Sequence, residues 1–275
     1  MSLSELARMK QEKRRIAMVT AYDAPSARLA DDAGVDCILV GDSAAMTVLG
    51  HESTLPITMD EMVMLTGAVT RGARRPLIIA DMPFGSYQVT SRRAVQSAVR
   101  LVKEGGADAV KLEGAGLTLK RVSAIVGAGV PVVGHVGLTP QSATLLGGYK
   151  TQGQTATKAR RLIDEARALQ DAGCFAVVLE AMPEPVGARI TEALSIPTIG
   201  IGAGASCDGQ VLVWHDLLGL TTGHVPLFVQ RYAAIGEAIR TALGEYVRDV
   251  RSGAFPSARH RYAMPAAELD VLNAG

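Results

Sequence analysis

Cysteine is scarce in this chain: three in 275 residues, Cys37, Cys174 and Cys207, far apart and with no CxxC pair. An odd, scattered set of thiols argues against a disulfide framework and against a structural zinc site. Charge of one sign is also missing. Lys and Arg total 28 against 27 Asp and Glu, a net charge of +1. That balance gives no basic field for a polyphosphate backbone, so nucleic acid is not the expected partner. No apolar run approaches the ~18 residues that would cross a membrane. The N-terminus, MSLSELARMKQEKRR, lacks the apolar core of a secretory signal. These absences predict a reduced, cytoplasmic, soluble protein. What is present is ordinary globular composition, 48% hydrophobic and 20% charged. It excludes disorder for the bulk of the chain and supplies enough core to fold without staples.

One phrase recurs: a small-residue helix end, a Gly, then a short apolar strand. It appears as DDAGVDCILVGD, EGGADAVKLEG, GAGVPVVGHVG and DAGCFAVVLEA. Gly34, Gly106, Gly129 and Gly173 fit the left-handed position after a helix. The strands that follow are nearly continuous apolar runs, as expected where helices cover both faces. Helical stretches at 60–71, 91–104, 117–128 and 155–172 alternate with them, so the chain reads as repeated βα units on a parallel sheet. Eight strands can be proposed, at 16–20, 36–41, 77–81, 108–113, 131–135, 174–180, 197–201 and 210–214, which predicts a TIM (β/α)8 barrel. A doubly wound open sheet is the rival. Residues 2–13 form an extra helix before the barrel, and no linker divides the chain. A single domain over 1–275 is expected, with an arm or tail from roughly 252 to 275.

The polar residues fall at strand ends. The second strand ends in Asp42-Ser43, the third in Asp81, the fourth in Lys111-Leu112-Glu113, the fifth in His135 and the sixth in Glu180. In a βα barrel these share the C-terminal rim, where catalytic residues sit. By the period of two, Leu77, Ile79 and Asp81 share a face, as do Ala176, Val178 and Glu180, and Lys111 points the same way as Glu113. Any one strand-end acid is more often a helix cap. Several buried together need a cation, and one Lys cannot balance Asp42, Asp81, Glu113 and Glu180. Oxygen ligands without a thiol favour Mg2+ over zinc. Such an ion chelates an α-keto acid and stabilises the enolate formed when a neighbouring proton leaves. A carboxylate held off the metal then serves as base, and Glu180 lies farthest from the Asp42–Asp81–Glu113 group. The G-x-G-x-x-A stretch Gly200–Ala205 lacks the helix and acidic residue of a dinucleotide site and reads as a loop of the active-site rim.

At these residues the chain resembles the ketopantoate hydroxymethyltransferase (3-methyl-2-oxobutanoate hydroxymethyltransferase) family. The matching stretches run from about Met18 to Asp216: MVTAYDAPSARLADDAG, ILVGDSAAMTVLGHESTLPITMDEM, ADMPFGSYQ, AVKLEG, VVGHVGLTPQS, LGGYKTQG, VVLEAMP, PTIGIGAG and DGQVLVWHD. The resemblance implies a TIM barrel of the phosphoenolpyruvate/pyruvate-binding type, Mg2+ dependence, and 5,10-methylenetetrahydrofolate as one-carbon donor. It implies Asp42, Asp81 and Glu113 as metal carboxylates, Asp42, Ser43, Asp81 and Lys111 as keto-acid contacts, Glu180 as base, and His135 as a residue near the substrate. It also implies a large homo-oligomer, commonly a decamer. The implied reaction is removal of the C3 proton of 3-methyl-2-oxobutanoate, attack of the Mg-stabilised enolate on the one-carbon unit, and release of 2-dehydropantoate for pantothenate biosynthesis. The segment GHVPLFVQRY departs from the family pattern. The alternatives are a Mg-dependent keto-acid lyase of the isocitrate lyase and phosphoenolpyruvate mutase superfamily, which brings a KKCGH-like loop absent here, and a non-catalytic keto-acid sensor or scaffold.

Overall fold

A computed structural model describes residues 1–223 and 225–275. His224, within the segment that departs from the family pattern, lies outside the described residues. Eight parallel strands close into a barrel in chain order: β1 (Ile16–Thr20), β2 (Cys37–Val40), β3 (Leu77–Asp81), β4 (Ala109–Lys111), β5 (Val132–Gly137), β6 (Ala176–Glu180), β7 (Thr198–Ile201) and β8 (Gly209–Leu212). The helices are α1 (Leu3–Gln11), α2 (Ala24–Ala33), α3 (Ala44–Thr47), α4 (Met59–Gly72), α5 (Ser91–Lys103), α6 (Leu117–Gly127), α7 (Ala156–Asp171), α8 (Glu184–Ala193), α9 (Trp214–Leu217), α10 (Ile235–Ser252) and α11 (Ala266–Ala274). The TIM barrel is therefore present and the open doubly wound sheet is not. No described helix is long and apolar enough to cross a membrane.

Local chemistry explains the joints. The α2 helix starts where the Asp23 side chain accepts from Ser26 N, and it stops at Gly34, whose φ of 84° a side chain would resist. The aspartates that precede β2, β4 and β8 tie the bottom of the barrel. Asp36, Asp108 and Asp208 each accept, through a side-chain oxygen, the backbone N–H of the neighbouring strand, from Ala17, Ile78 and Thr198 at 2.8–2.9 Å. Inside the barrel one row per strand stacks into layers: Ile16 and Met18, Cys37 and Leu39, Leu77 and Ile79, Ala176 and Val178. Leu6 and Met9 of α1 join that interior cluster and close the bottom. Burying each contributes roughly 1.5–3 kcal/mol. A second cluster fills the space between sheet and helices.

Two features differ from expectation. β5 does not end at His135 but runs on to Gly137, so the imidazole stands inside the barrel, paired with Val178 and one layer below Glu180. β8 stops at Leu212, and Trp214 opens α9 because its backbone N–H leaves the sheet ladder for Thr20 Oγ1 at 2.9 Å. β7 and β8 are joined by a loop with no helix, as the glycines of 200–205 lead one to expect. The C-terminal stretch beyond 252 includes the exposed helix α11.

Candidate active site

The interior rows end in polar groups at the C-terminal rim. Asp81 continues Leu77 and Ile79, Lys111 continues Ala109, and Glu180 continues Ala176 and Val178. Asp42 and Ser43 follow β2 at the turn into α3. Six of the seven expected residues form one connected group. Asp42 N donates to Asp81 Oδ2 at 3.1 Å. Lys111 Nζ lies 2.8 Å from Asp81 Oδ1 and 3.9 Å from Glu113 Oε1. The same ammonium approaches His135 Nδ1 at 3.3 Å, and His135 Nε2 comes within 3.2 Å of Glu180 Oε2. Asp42, Asp81, Lys111, Glu113 and His135 are buried, whereas the Glu180 side chain is 16% exposed. Ser43, half-buried, adjoins through Gly41, where an added Cβ would meet Ser43 Oγ at 2.7 Å and Asp81 Oδ2 at 3.6 Å.

The electrostatics follow from one ammonium serving three buried carboxylates. Burial favours a neutral Lys111, but Asp81, Glu113 and Asp42 outweigh it and hold the ammonium above its ordinary value. Burial raises Glu113, and His135, Lys111 and the Gln141 N–H bring it below the usual carboxylate range. Lys111 sits on Asp81, whose carboxyl burial still raises. Asp42 is left without a cation of its own, and burial with the Asp81 and Glu113 charges pushes it well above the usual range. Burial and Lys111 push His135 down, and Glu113 and Glu180 outweigh them, raising the imidazolium to about 9. With Lys111 against Nδ1, Nε2 carries a proton whether the ring is neutral or charged, and it lies 3.2 Å from Glu180 Oε2 without a well-directed hydrogen bond.

Two residues that the sequence reading did not single out complete the group. Gln141, buried after β5, donates through Nε2 to Asp42 Oδ2 and to Met82 O, both at 2.9 Å, while its backbone N–H donates to Glu113 Oε2 at 2.9 Å. Tyr87 Oη donates to Gln141 Oε1 at 2.7 Å and accepts from Glu113 N at 3.3 Å. Tyr87 lies in a loop and Gln141 in the single 3-10 turn Pro140–Ser142, where no periodicity marks them. Among the described residues, no three Asp, Glu, His or Cys side chains form a ready-made metal-ligand group. Lys111 stands between Asp81 and Glu113, and Gln141 holds one oxygen of Asp42 and one of Glu113. Two open surface clefts of about 440 Å³ each, one beside Leu119 and Arg160 and one beside Cys207 and Phe228, contain none of these residues.

The family model for ketopantoate hydroxymethyltransferase matches residues 1–258. The chain belongs to the ketopantoate hydroxymethyltransferase family. A 3-methyl-2-oxobutanoate hydroxymethyltransferase of Carboxydothermus hydrogenoformans is 51% identical over 271 residues, 98% of each chain. Another, of Oleidesulfovibrio alaskensis, is 55% identical over 262 residues, 95% of this chain and 90% of that one. Solved structures of similar fold are more distant in sequence. A 2,3-dimethylmalate lyase of the phosphoenolpyruvate mutase/isocitrate lyase superfamily superposes with a TM-score of 0.59 at 14% identity, over 99% of this chain and 98% of that one. A phosphoenolpyruvate phosphomutase from Streptomyces platensis subsp. rosaceus gives 0.61 at 16% identity, over 100% and 96%. The hydroxymethyltransferase family thus shares its barrel with these lyases and mutases.

Proposed function

We propose that this hydroxymethyltransferase moves the one-carbon unit of 5,10-methylenetetrahydrofolate to C3 of 3-methyl-2-oxobutanoate, giving 2-dehydropantoate. Beyond family membership, one observation carries the mechanism. The only partly exposed carboxylate of the group, Glu180, meets the buried charge cluster through His135 Nε2 at 3.2 Å.

The donor set fits a hard cation. Three buried carboxylates face one ammonium, and Asp81 Oδ1 is buried with no well-directed hydrogen bond. Mg2+ takes oxygen ligands and only one or two carboxylates, keeping places for substrate and water. Asp42 and Asp81 would hold it, with Glu113 directly or through water. When bound, the ion supplies Lewis-acid stabilisation of negative charge developing on the keto acid. The remaining work belongs to the chain. Lys111, kept cationic by its acids, offsets the substrate carboxylate. The Ser43 hydroxyl donates to a substrate oxygen. His135 Nε2 stands beside Glu180 at 3.2 Å, and Glu180 accepts the single C3 proton. C3 carries two methyls besides that hydrogen, so addition gives a quaternary carbon and cannot repeat.

Glu180→Gln keeps the shape and removes the base. Its turnover should fall roughly 10²–10⁴-fold, with keto-acid binding retained in calorimetry; normal turnover would remove Glu180 from the role. The lyase alternative shares the fold, but the full-length sequence likeness at about half identity is to hydroxymethyltransferases. Three buried free thiols suit a reducing cytoplasm. A homo-oligomer, ten copies by family resemblance, is supported by α10, where Ile239, Leu243, Tyr246 and Val250 form an exposed apolar stripe.

A further inference from the structure

We propose that Tyr22 is a positioning residue: an outward-directed hydrogen-bond chain from Trp214 N–H through Thr20 and Tyr22 fixes the Ser43 hydroxyl as a donor to the bound keto acid. This role presupposes that Ser43 contacts the keto acid, as proposed above. Trp214 N donates to Thr20 Oγ1 at 2.9 Å, Thr20 Oγ1 donates to Tyr22 Oη at 2.9 Å, and Tyr22 Oη lies 2.8 Å from Ser43 Oγ. A backbone N–H can only donate, so it sets the direction at the inner end. Having accepted there, Thr20 gives its proton to Tyr22, and Tyr22 gives its own to Ser43. The reverse direction would strand the Thr20 proton without an acceptor among the described residues. Thr20 is only 3% exposed, and buried donors are seldom left unpaired.

Tyr22 is equally buried, and burial pushes its phenol above the ordinary value, so it keeps the proton it donates. Thr47 also lies near the phenol, but its hydroxyl donates to the Ser43 backbone oxygen at 3.1 Å, and among the described residues the hydrogen bonds of Tyr22 Oη are those with Thr20 Oγ1 and Ser43 Oγ. The Ser43 proton is then the one member of the chain with no acceptor among the described residues. Its hydroxyl stands against Gly41 on the side of Asp81 Oδ2. An anionic oxygen of the substrate is the acceptor this leaves, and a chain of hydroxyls polarised in one direction strengthens its last donor. Thr20 itself ends the interior row of Ile16 and Met18, so the relay is built from the same strand-end geometry as the acids.

A double-mutant cycle tests this. In steady-state kinetics of the Mg2+-loaded protein, Tyr22→Phe and Ser43→Ala should each raise KM for 3-methyl-2-oxobutanoate roughly 5- to 10-fold. In both, kcat and the KM for methylenetetrahydrofolate should stay within about twofold. The double variant should be no worse than Ser43→Ala alone. Ser43→Ala without effect on that KM would remove Ser43 from the keto-acid site, and the relay with it. A Ser43→Ala effect with none from Tyr22→Phe, or additive effects, would overturn the relay while leaving Ser43 in place. Thr20→Val keeps the phenol and should shift the same KM in the same direction. It decides the matter should Tyr22→Phe fail to fold.

Discussion

Gln141 joins more of the site than any single acid does. Its side-chain amide reaches Asp42, Met82 and Tyr87, and its backbone N–H reaches Glu113. Met82 O can only accept, so the Nε2 group must face it and the Asp42 contact is a donated hydrogen bond. Partners of this kind orient metal carboxylates. Gln141→Leu, which keeps the volume, should weaken Mg2+ binding roughly 10- to 100-fold in titration calorimetry; unchanged affinity would leave Gln141 with a packing role alone. At this scale the sequence was legible where side chains end strand rows. Asp81, Lys111 and Glu180 are read from the period of two, and Thr20 could have been, since it ends the row of Ile16 and Met18. Gln141 and Tyr87 could not, because one sits in a single 3-10 turn and the other in a loop, and no periodicity encodes either path.

At the scale of elements, the rim depends on how far each strand runs. β5 passes His135 and ends at Gly137, whose φ is +101° and where an added Cβ would collide with the Glu180 carbonyl oxygen. The close approach lets β5 pair with β6 up to Glu180 itself. Gly137→Ala should therefore displace the end of β6 and lower kcat by about tenfold or more, as misplaced catalytic groups do. Thermal melting would show whether the barrel persists. Wild-type kcat in a folded Gly137→Ala protein would show that the rim tolerates the shift. The sequence placed the end of β5 at His135 because the apolar run breaks there. The strand continues because a barrel interior accepts a polar residue beside charged neighbours, here a hydrogen bond with Lys111 and the nearby carboxylates of Glu113 and Glu180.

For the whole molecule, strand alternation and glycine punctuation were sufficient to read repeated βα units on a parallel sheet, since each unit carries its own pattern, while closure into a barrel rather than an open sheet is decided by the pairing of β8 with β1. The β7–β8 loop was legible in its glycines, but the α10 stripe was not, because it concerns what covers a surface. That stripe predicts self-association. Sedimentation velocity should find an oligomer, and Leu243→Glu should shift it to smaller species; a monomer in the parent protein would contradict the assignment. All scales meet in one claim, that Glu180 takes a proton from C3 of a keto acid held beside Asp42, Asp81 and Lys111. A proton NMR time course in D₂O tests it most directly, with protein, Mg2+ and 3-methyl-2-oxobutanoate present and methylenetetrahydrofolate added partway. The account predicts loss of the C3–H signal before the addition and new hydroxymethyl resonances after it. A C3–H signal that persists throughout, with metal and substrate shown to bind, would contradict it.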